Sequence, residues 1–274
     1  MIDPGLKGRV ALITGANHGI GAATAHALAA QGAAVFLTYL RLGAAEHAGD
    51  PAYPPQYDLT RSRNADAVVS AIRAAGGRAD AMEADLADPA VPAAVFDRAE
   101  ASVGPVEILV NNASSWLANT FLPTARDRFE RMLQVVDART HDRQFAVDAR
   151  ATALLIAEFA RRHVARKADW GRIVGLTSGG SEGFPQEVSY GAAKAALENY
   201  TMSAAWELGP HGITANVVHP PATDTGWVTP MVEQEVIASS PLRHVGKPEE
   251  VAEVITFLAS HQARFVTGQI IRMR

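Results

Sequence analysis

Short apolar runs separated by helical patterns recur seven times along this chain, and that alternation restricts its fold more than any other feature. The runs fall at residues 10–14, 34–39, 79–84, 108–111, 172–177, 214–218 and 269–271. They are continuous rather than alternating in polarity, as strands are when both of their faces are buried, and this implies a parallel sheet covered by helices on either side. The expected fold is therefore α/β, a doubly wound, Rossmann-type parallel sheet of about seven strands, in a single domain spanning residues 1–274 with no linker. Two segments break the rhythm. At 43–60, Pro51, Pro54 and Pro55 occur with glycine and two tyrosines, a composition that predicts a long loop without a regular element. At 131–143, charged residues interrupt the approach to the helix containing residues 152–163, predicting an inserted helix-to-helix connection. Either segment is a surface excursion or a cover over a ligand crevice.

Composition removes several function classes. The net charge is −4, with lysine and arginine spread along the chain, so no basic surface is offered to nucleic acid or anionic lipid. The absence of cysteine excludes disulfides, thiolate catalysis and thiolate metal sites. His141, His163, His211 and His244 fall on different elements without metal-ligand spacing, so no metal is expected. No run of about 18 uncharged apolar residues occurs, and none precedes the first strand, which points to a cytoplasmic protein without a membrane partner.

Two patterns carry chemistry. Directly after the first apolar run comes Thr14-Gly15-Ala16-Asn17-His18-Gly19-Ile20-Gly21, opening a helix. Glycines there permit a tight turn and close backbone approach to a pyrophosphate, whose charge the free amides of the helix start favour. Further on, Tyr190 and Lys194 are spaced four apart on a helix and so share a face. A phenol with a pKa near 10 is a poor base at neutral pH, and an adjacent ammonium favours the phenolate. Such a pair could donate a proton to a forming alkoxide or accept one from an alcohol.

The spacing Thr-Gly-x-x-x-Gly-x-Gly, followed by Asp85-Leu86, Asn111-Asn112-Ala113 and Tyr190-Gly-Ala-Ala-Lys194 in that order, resembles the short-chain dehydrogenase/reductase family over nearly the whole chain, and in particular its 3-oxoacyl-carrier-protein reductases. That resemblance implies a dinucleotide cofactor held by Gly15, Asn17, His18, Gly19, Ile20 and Gly21, by Asp85 and Leu86 at the adenine, by Asn112 and Ala113, and by Lys194. It implies a catalytic serine near Ser178, with Thr177 and Ser181 as rivals, and a Pro-Gly-like turn at Pro220 and Pro221 whose threonine, Thr225 or Thr223, contacts the nicotinamide. Pro221 stands where relatives have glycine, and Asp148 where they have a relay asparagine, so an added carboxylate is expected beside Lys194.

NADP(H) is favoured over NAD(H). The end of the second strand carries Tyr39 rather than an acid that would repel a 2′-phosphate, Arg41 follows, and His18 occupies a position often basic in NADP-dependent relatives. Trp116, Phe184 and Trp227 fall on three loops at one sheet edge and suggest an apolar substrate pocket. The expected function is a short-chain carbonyl reductase or alcohol dehydrogenase acting on a small-molecule ketone or secondary alcohol, as a homotetramer or homodimer by family resemblance. Competing readings are a cofactor-binding homologue acting as sensor or scaffold, and an epimerase or dehydratase.

Overall fold

The computed structural model of the chain describes residues 3–43, 53–179 and 183–274. In order, the elements are β1 (Val10–Ile13), α1 (Gly19–Ala30), β2 (Ala34–Tyr39), α2 (Pro55–Arg61), α3 (Asp66–Ala74), β3 (Arg78–Glu83), α4 (Val91–Ser102) and β4 (Ile108–Asn111). Then come the short strands β5 (Asn119–Thr120) and β6 (Gln134–Val135), α5 (Ala138–Phe145), a π-helical turn (Ala146–Ala151), α6 (Thr152–Ala165), β7 (Gly171–Leu176) and α7 (Val188–Leu208). The chain ends through β8 (Ile213–His219), α8 (Pro230–Ser239), α9 (Pro248–Ala259) and β9 (Ile270–Arg272).

Each of the seven apolar runs becomes a strand, and the seven form one parallel sheet in the order β3-β2-β1-β4-β7-β8-β9. Burial on both faces explains why those runs read as continuous. In β1, Ala11 and Ile13 face the layer of α1, α3 and α9, while Val10 and Leu12 face the layer of α4, α6 and α7. In β2 the same division holds, with Val35 and Leu37 on one side and Ala34 and Phe36 on the other. The chain runs outward from β1 to β2 and β3, then returns to lay β4 on the opposite side of β1. The strand order therefore reverses between β1 and β4, and a crevice opens at their carboxyl ends. No helix among the described residues is long and apolar enough to cross a membrane.

Both predicted loops need correction. Residues 44–52, including Pro51, lie outside the described residues, but the remainder of the first segment contains helix α2. Proline did not exclude it because Pro55 occupies the first helical position, where the missing N–H is no loss, and Pro54 precedes it in an extended conformation. The second segment contains β6 and most of α5. That helix starts at a capping box in which Asp137 accepts from the Thr140 amide while the Thr140 hydroxyl accepts from the Asp137 amide. From Ala138 the helical path continues through the π-turn into α6, so the charged stretch is largely helix rather than connection.

Phe159 of α6 is fully buried, with Phe96 at 6.5 Å between ring centroids on one side and His163 stacked at 5.9 Å on the other. Truncation to alanine leaves a cavity between two elements that cannot close it. Chemical denaturation of Phe159→Ala is expected to show a loss of about 3–5 kcal/mol.

Candidate active site

Helix α1 begins at His18 without a side-chain cap and without an acid in its first turn, so its leading amides face the crevice unsatisfied by the protein. The glycines before it are dictated by space. Gly15 has φ +65°, and a Cβ on Gly21 would fall 2.4 Å from the Gly15 carbonyl oxygen and 2.6 Å from Asn112 Nδ2. Asn112 itself pins this turn to the end of β4, its Nδ2 donating to the Thr14 carbonyl at 2.8 Å and the Gly15 carbonyl at 2.9 Å. The Thr14 hydroxyl accepts from the Asn112 and Ala113 amides, each at 3.0 Å. On the opposite wall, Thr225 packs so closely on Gly19 that a Cβ there would meet its Cγ2 at 2.9 Å. The Thr223 hydroxyl instead donates to the Pro221 carbonyl, so of the two threonines Thr225 presents itself to the glycine turn.

This arrangement fits a bound dinucleotide. The uncapped amides, the absence of Cβ atoms at Gly15, Gly19 and Gly21, and the buried His18 Nδ1 that has no partner among the described residues together make a cradle suited to phosphate. Ile20 lines the same crevice, while Leu86 is buried below the far end and Asp85 is exposed there, its carboxylate accepting from the Ala87 amide.

At the end of β2 the cations are arranged differently from expectation. Arg41 grips Glu83 through Nε and Nη2, at 2.7–3.1 Å, and its backbone amide joins the same carboxylate. Glu83 also stands beside Tyr39, pushing its phenol up together with burial, which is the larger cause. Helix α2 supplies Arg61 instead. It is buried, lies 5.0 Å over the Tyr57 ring, and acts electrostatically on His18. Asn17 Nδ2 donates to the Arg63 carbonyl at 2.8 Å, so the segment after α2 is tied to the glycine turn. Burial, reinforced by Arg61, lowers His18 to about 4, so the imidazole is neutral at physiological pH and not the cation its position suggested.

The second half of the site is at the ends of β7 and β8. Tyr190 and Lys194 lie one turn apart on α7, with Nζ 5.6 Å from the centre of the phenol ring. Ser178, just beyond β7, lines the same crevice, and its hydroxyl draws the Tyr190 phenol down against the larger effect of burial. Its rival Thr177 donates to Glu198 at 2.7 Å, and Ser181 lies outside the described residues. Lys194 is buried, donates to the Leu176 carbonyl at 2.9 Å, and forms an ion pair with Asp148 at 3.0 Å. The expectation that Lys194 acidifies Tyr190 is not met in this state. Withdrawal from water, followed by the charge of Asp148, raises the phenol well above its ordinary value.

Trp116, Phe184, Pro220 and Trp227 come together around a crevice of about 900 Å³ that also contains Ser178, Tyr190 and Lys194. Among the wall residues that sequence reasoning missed are Tyr57, Arg131, Glu187 and His219. Tyr57 arrives on α2 and stacks on Tyr53 at 5.7 Å. Arg131 pairs with Asp127 at 2.6 Å and with Glu187 at 2.8 Å, and Glu187 also accepts from Trp116 Nε1 at 2.8 Å. The position of Glu187, three residues before Tyr190 on the approach to α7, was the one available signal.

Comparison with known proteins agrees with this geometry. Residues 58–273 match the family model described as enoyl-(acyl carrier protein) reductase, and residues 9–75 match the one described as short chain dehydrogenase. Among curated relatives, cis-4-hydroxycyclohexanecarboxylate dehydrogenase of Sinomonas cyclohexanicum is 38% identical, covering 96% of this chain and 94% of its own. Among solved structures, a blue fluorescent protein from a metagenomic library in complex with NADPH superposes with a TM-score of 0.80 at 32% identity, over 98% of this chain and 97% of the other. A short chain dehydrogenase from Burkholderia cenocepacia J2315 in complex with NADP gives 0.78 at 32% identity, with the same coverage.

The neutral His18 has a consequence for stability. Its folded pKa of about 4 lies below the ordinary 6.5, so between those values the unfolded chain takes up a proton that the folded chain refuses. Stability falls as pH drops through that window, by about 2 kcal/mol from this residue after allowance for its partial exposure. Unfolding measured at pH 7 and pH 4.5 should show a smaller acid loss in His18→Gln than in the parent.

Proposed function

The chain belongs to the short-chain dehydrogenase/reductase family, and on that premise we propose that it is an NADP-dependent oxidoreductase acting between a ketone and its secondary alcohol, with Tyr190 as the general acid and base. The observation that supports this most is the meeting of the Tyr190 and Ser178 hydroxyls with Lys194 in a crevice whose other end is the uncapped start of α1. The bound nicotinamide would supply or accept the hydride.

The protein's own part is proton handling and placement. Ser178, in the same crevice as Tyr190, would offer a second donor to a carbonyl oxygen, stabilising charge that develops there. Tyr190, held as a phenol, gives its proton to that oxygen during reduction, and in the reverse direction a phenolate would take it from the alcohol. Lys194, anchored on the Leu176 carbonyl, holds an ammonium one turn away and would face the nicotinamide ribose. Trp116, Phe184 and Trp227 shed water from the reacting carbon and suit an apolar, ring-bearing substrate. The relative from Sinomonas, whose name denotes an alcohol on a saturated ring, is compatible with such a pocket.

Preference for NADPH over NADH is supported by Arg61, the cation that acts on His18 at the glycine turn, and by the cofactors in the two solved neighbours, while Arg41 is taken up by Glu83. A second reading, cofactor binding with weak turnover, draws on the Asp148–Lys194 ion pair. One experiment separates the two. A panel of cyclic and acyclic ketones is offered with NADPH and with NADH, and loss of reduced-cofactor absorbance is followed in parent and Tyr190→Phe. Turnover with NADPH that falls by about 10²–10⁴-fold in the variant, with cofactor affinity kept, is the expected result. Equal turnover in the variant would contradict the assignment, and binding of NADPH without turnover of any ketone would favour the second reading.

A further inference from the structure

Asp148 puts a carboxylate beside Lys194 in the interior of the molecule. Its side chain is fully excluded from solvent, on the π-helical turn where the helical path from α5 to α6 widens by a residue, a distortion often found where a side chain must be aimed. The carboxylate is anchored on one side, Oδ2 accepting from the Ser115 amide at 3.0 Å and from Gln144 Nε2 at 2.7 Å. The other oxygen, Oδ1, lies 3.0 Å from Lys194 Nζ and has no hydrogen-bond partner among the described residues. Lys194 is almost as deeply buried, with 2% of its surface exposed. Two opposite charges this close, and this far from water, behave toward their surroundings as a dipole rather than as a cation.

We propose that Asp148 is a positioning residue that cancels the charge of Lys194, so that Tyr190 rests as a protonated phenol. This rests on the oxidoreductase reading and adds to it the resting protonation state of its acid. In reduction the Tyr190 O–H bond would break as its proton passes to the former carbonyl oxygen, leaving a phenolate to be reprotonated from solvent before the next turnover; oxidation would start from that phenolate. In both directions the phenolate gains little from an ammonium whose field is already answered by a carboxylate.

The other groups that act most on the Tyr190 phenol are acidic or neutral. Glu187, one turn before it, is acidic and neutralised by Arg131, and Tyr57 from α2 is a second phenol. His219 of β8, in the crevice wall, has its ring nitrogens on the Gly179 and Pro220 carbonyls. Burial and Asp148 both raise the Tyr190 phenol, in agreement with this arrangement.

The test does not require turnover. With tyrosine carrying carbon-13 at Cζ, the five tyrosines give five resonances, and Tyr190 is assigned by its disappearance in Tyr190→Phe. Titration of the cofactor-free protein is compared with Asp148→Asn, which keeps the shape and removes the charge, and with Asp148→Glu, which keeps the charge. Asp148→Ser takes the place of the asparagine variant if that variant does not fold. Ionisation of Tyr190 at least about one pH unit lower in the uncharged variants, with the glutamate variant close to the parent, is expected. A midpoint that is the same in all of them, or no ionisation below about pH 11 in any, would overturn the proposal. A protein that turns over no ketone would remove the oxidoreductase reading yet leave this titration readable, so the two failures are distinguishable.

Discussion

A single threonine hydroxyl joins the two strands on which the site depends. Thr14 ends β1 and Asn112 follows β4, at the place where the sheet order reverses and the backbones diverge. There the Thr14 hydroxyl accepts two amides from the β4 side while Asn112 returns two hydrogen bonds to the β1 side. Buried polar groups in such a cluster are costly unless all are paired, so the cluster holds one geometry and resists others. With the two strand ends fixed, Gly15 and Gly21 must pass within a few ångströms of Asn112 and Ala113, which leaves no room for Cβ atoms and turns the start of α1 toward the crevice.

On the far side of the same crevice, α7 is held by different means. Lys194 reaches back to the last carbonyl of β7, and Trp116, Glu187 and Arg131 tie the loop after β4 to the beginning of α7. The Tyr190 phenol is thus mounted on a helix rather than a loop, in one crevice with Ser178 and one turn from a buried ion pair. On the proposed reading, a site built this way would give up an easily formed phenolate.

The parallel sheet was legible because two-sided burial favours apolar residues along a central strand, as β1 and most of β2 and β4 show, and the glycine turn because the approach of backbone to backbone leaves no room for a Cβ. Trp116, Phe184 and Trp227 converge as their sheet edge implied, and Asp148 pairs with Lys194 as its position suggested. What stayed hidden was long-range. Nothing local marks Tyr57 and Arg61 as neighbours of the crevice and of His18, since that depends on how an inserted helix folds back over the glycine turn. Nor could spacing reveal that Arg41 is occupied by Glu83, forty-two residues away across two paired strands. The sign of the Tyr190 shift also escaped, because the helix pattern gives the cation but not the depth of burial.

On the proposed reading, a phenol held in its protonated form delivers a proton beside the reactive carbon of a reduced nicotinamide. A crystal structure of the NADPH complex is the decisive measurement. Pyrophosphate is expected on the amides that open α1, Lys194 on the nicotinamide ribose, and the ring between Thr225 and Tyr190 with its reactive edge toward the Tyr190 and Ser178 hydroxyls. A ring bound with that edge turned away from Tyr190, or a cofactor seated outside this crevice, would contradict it.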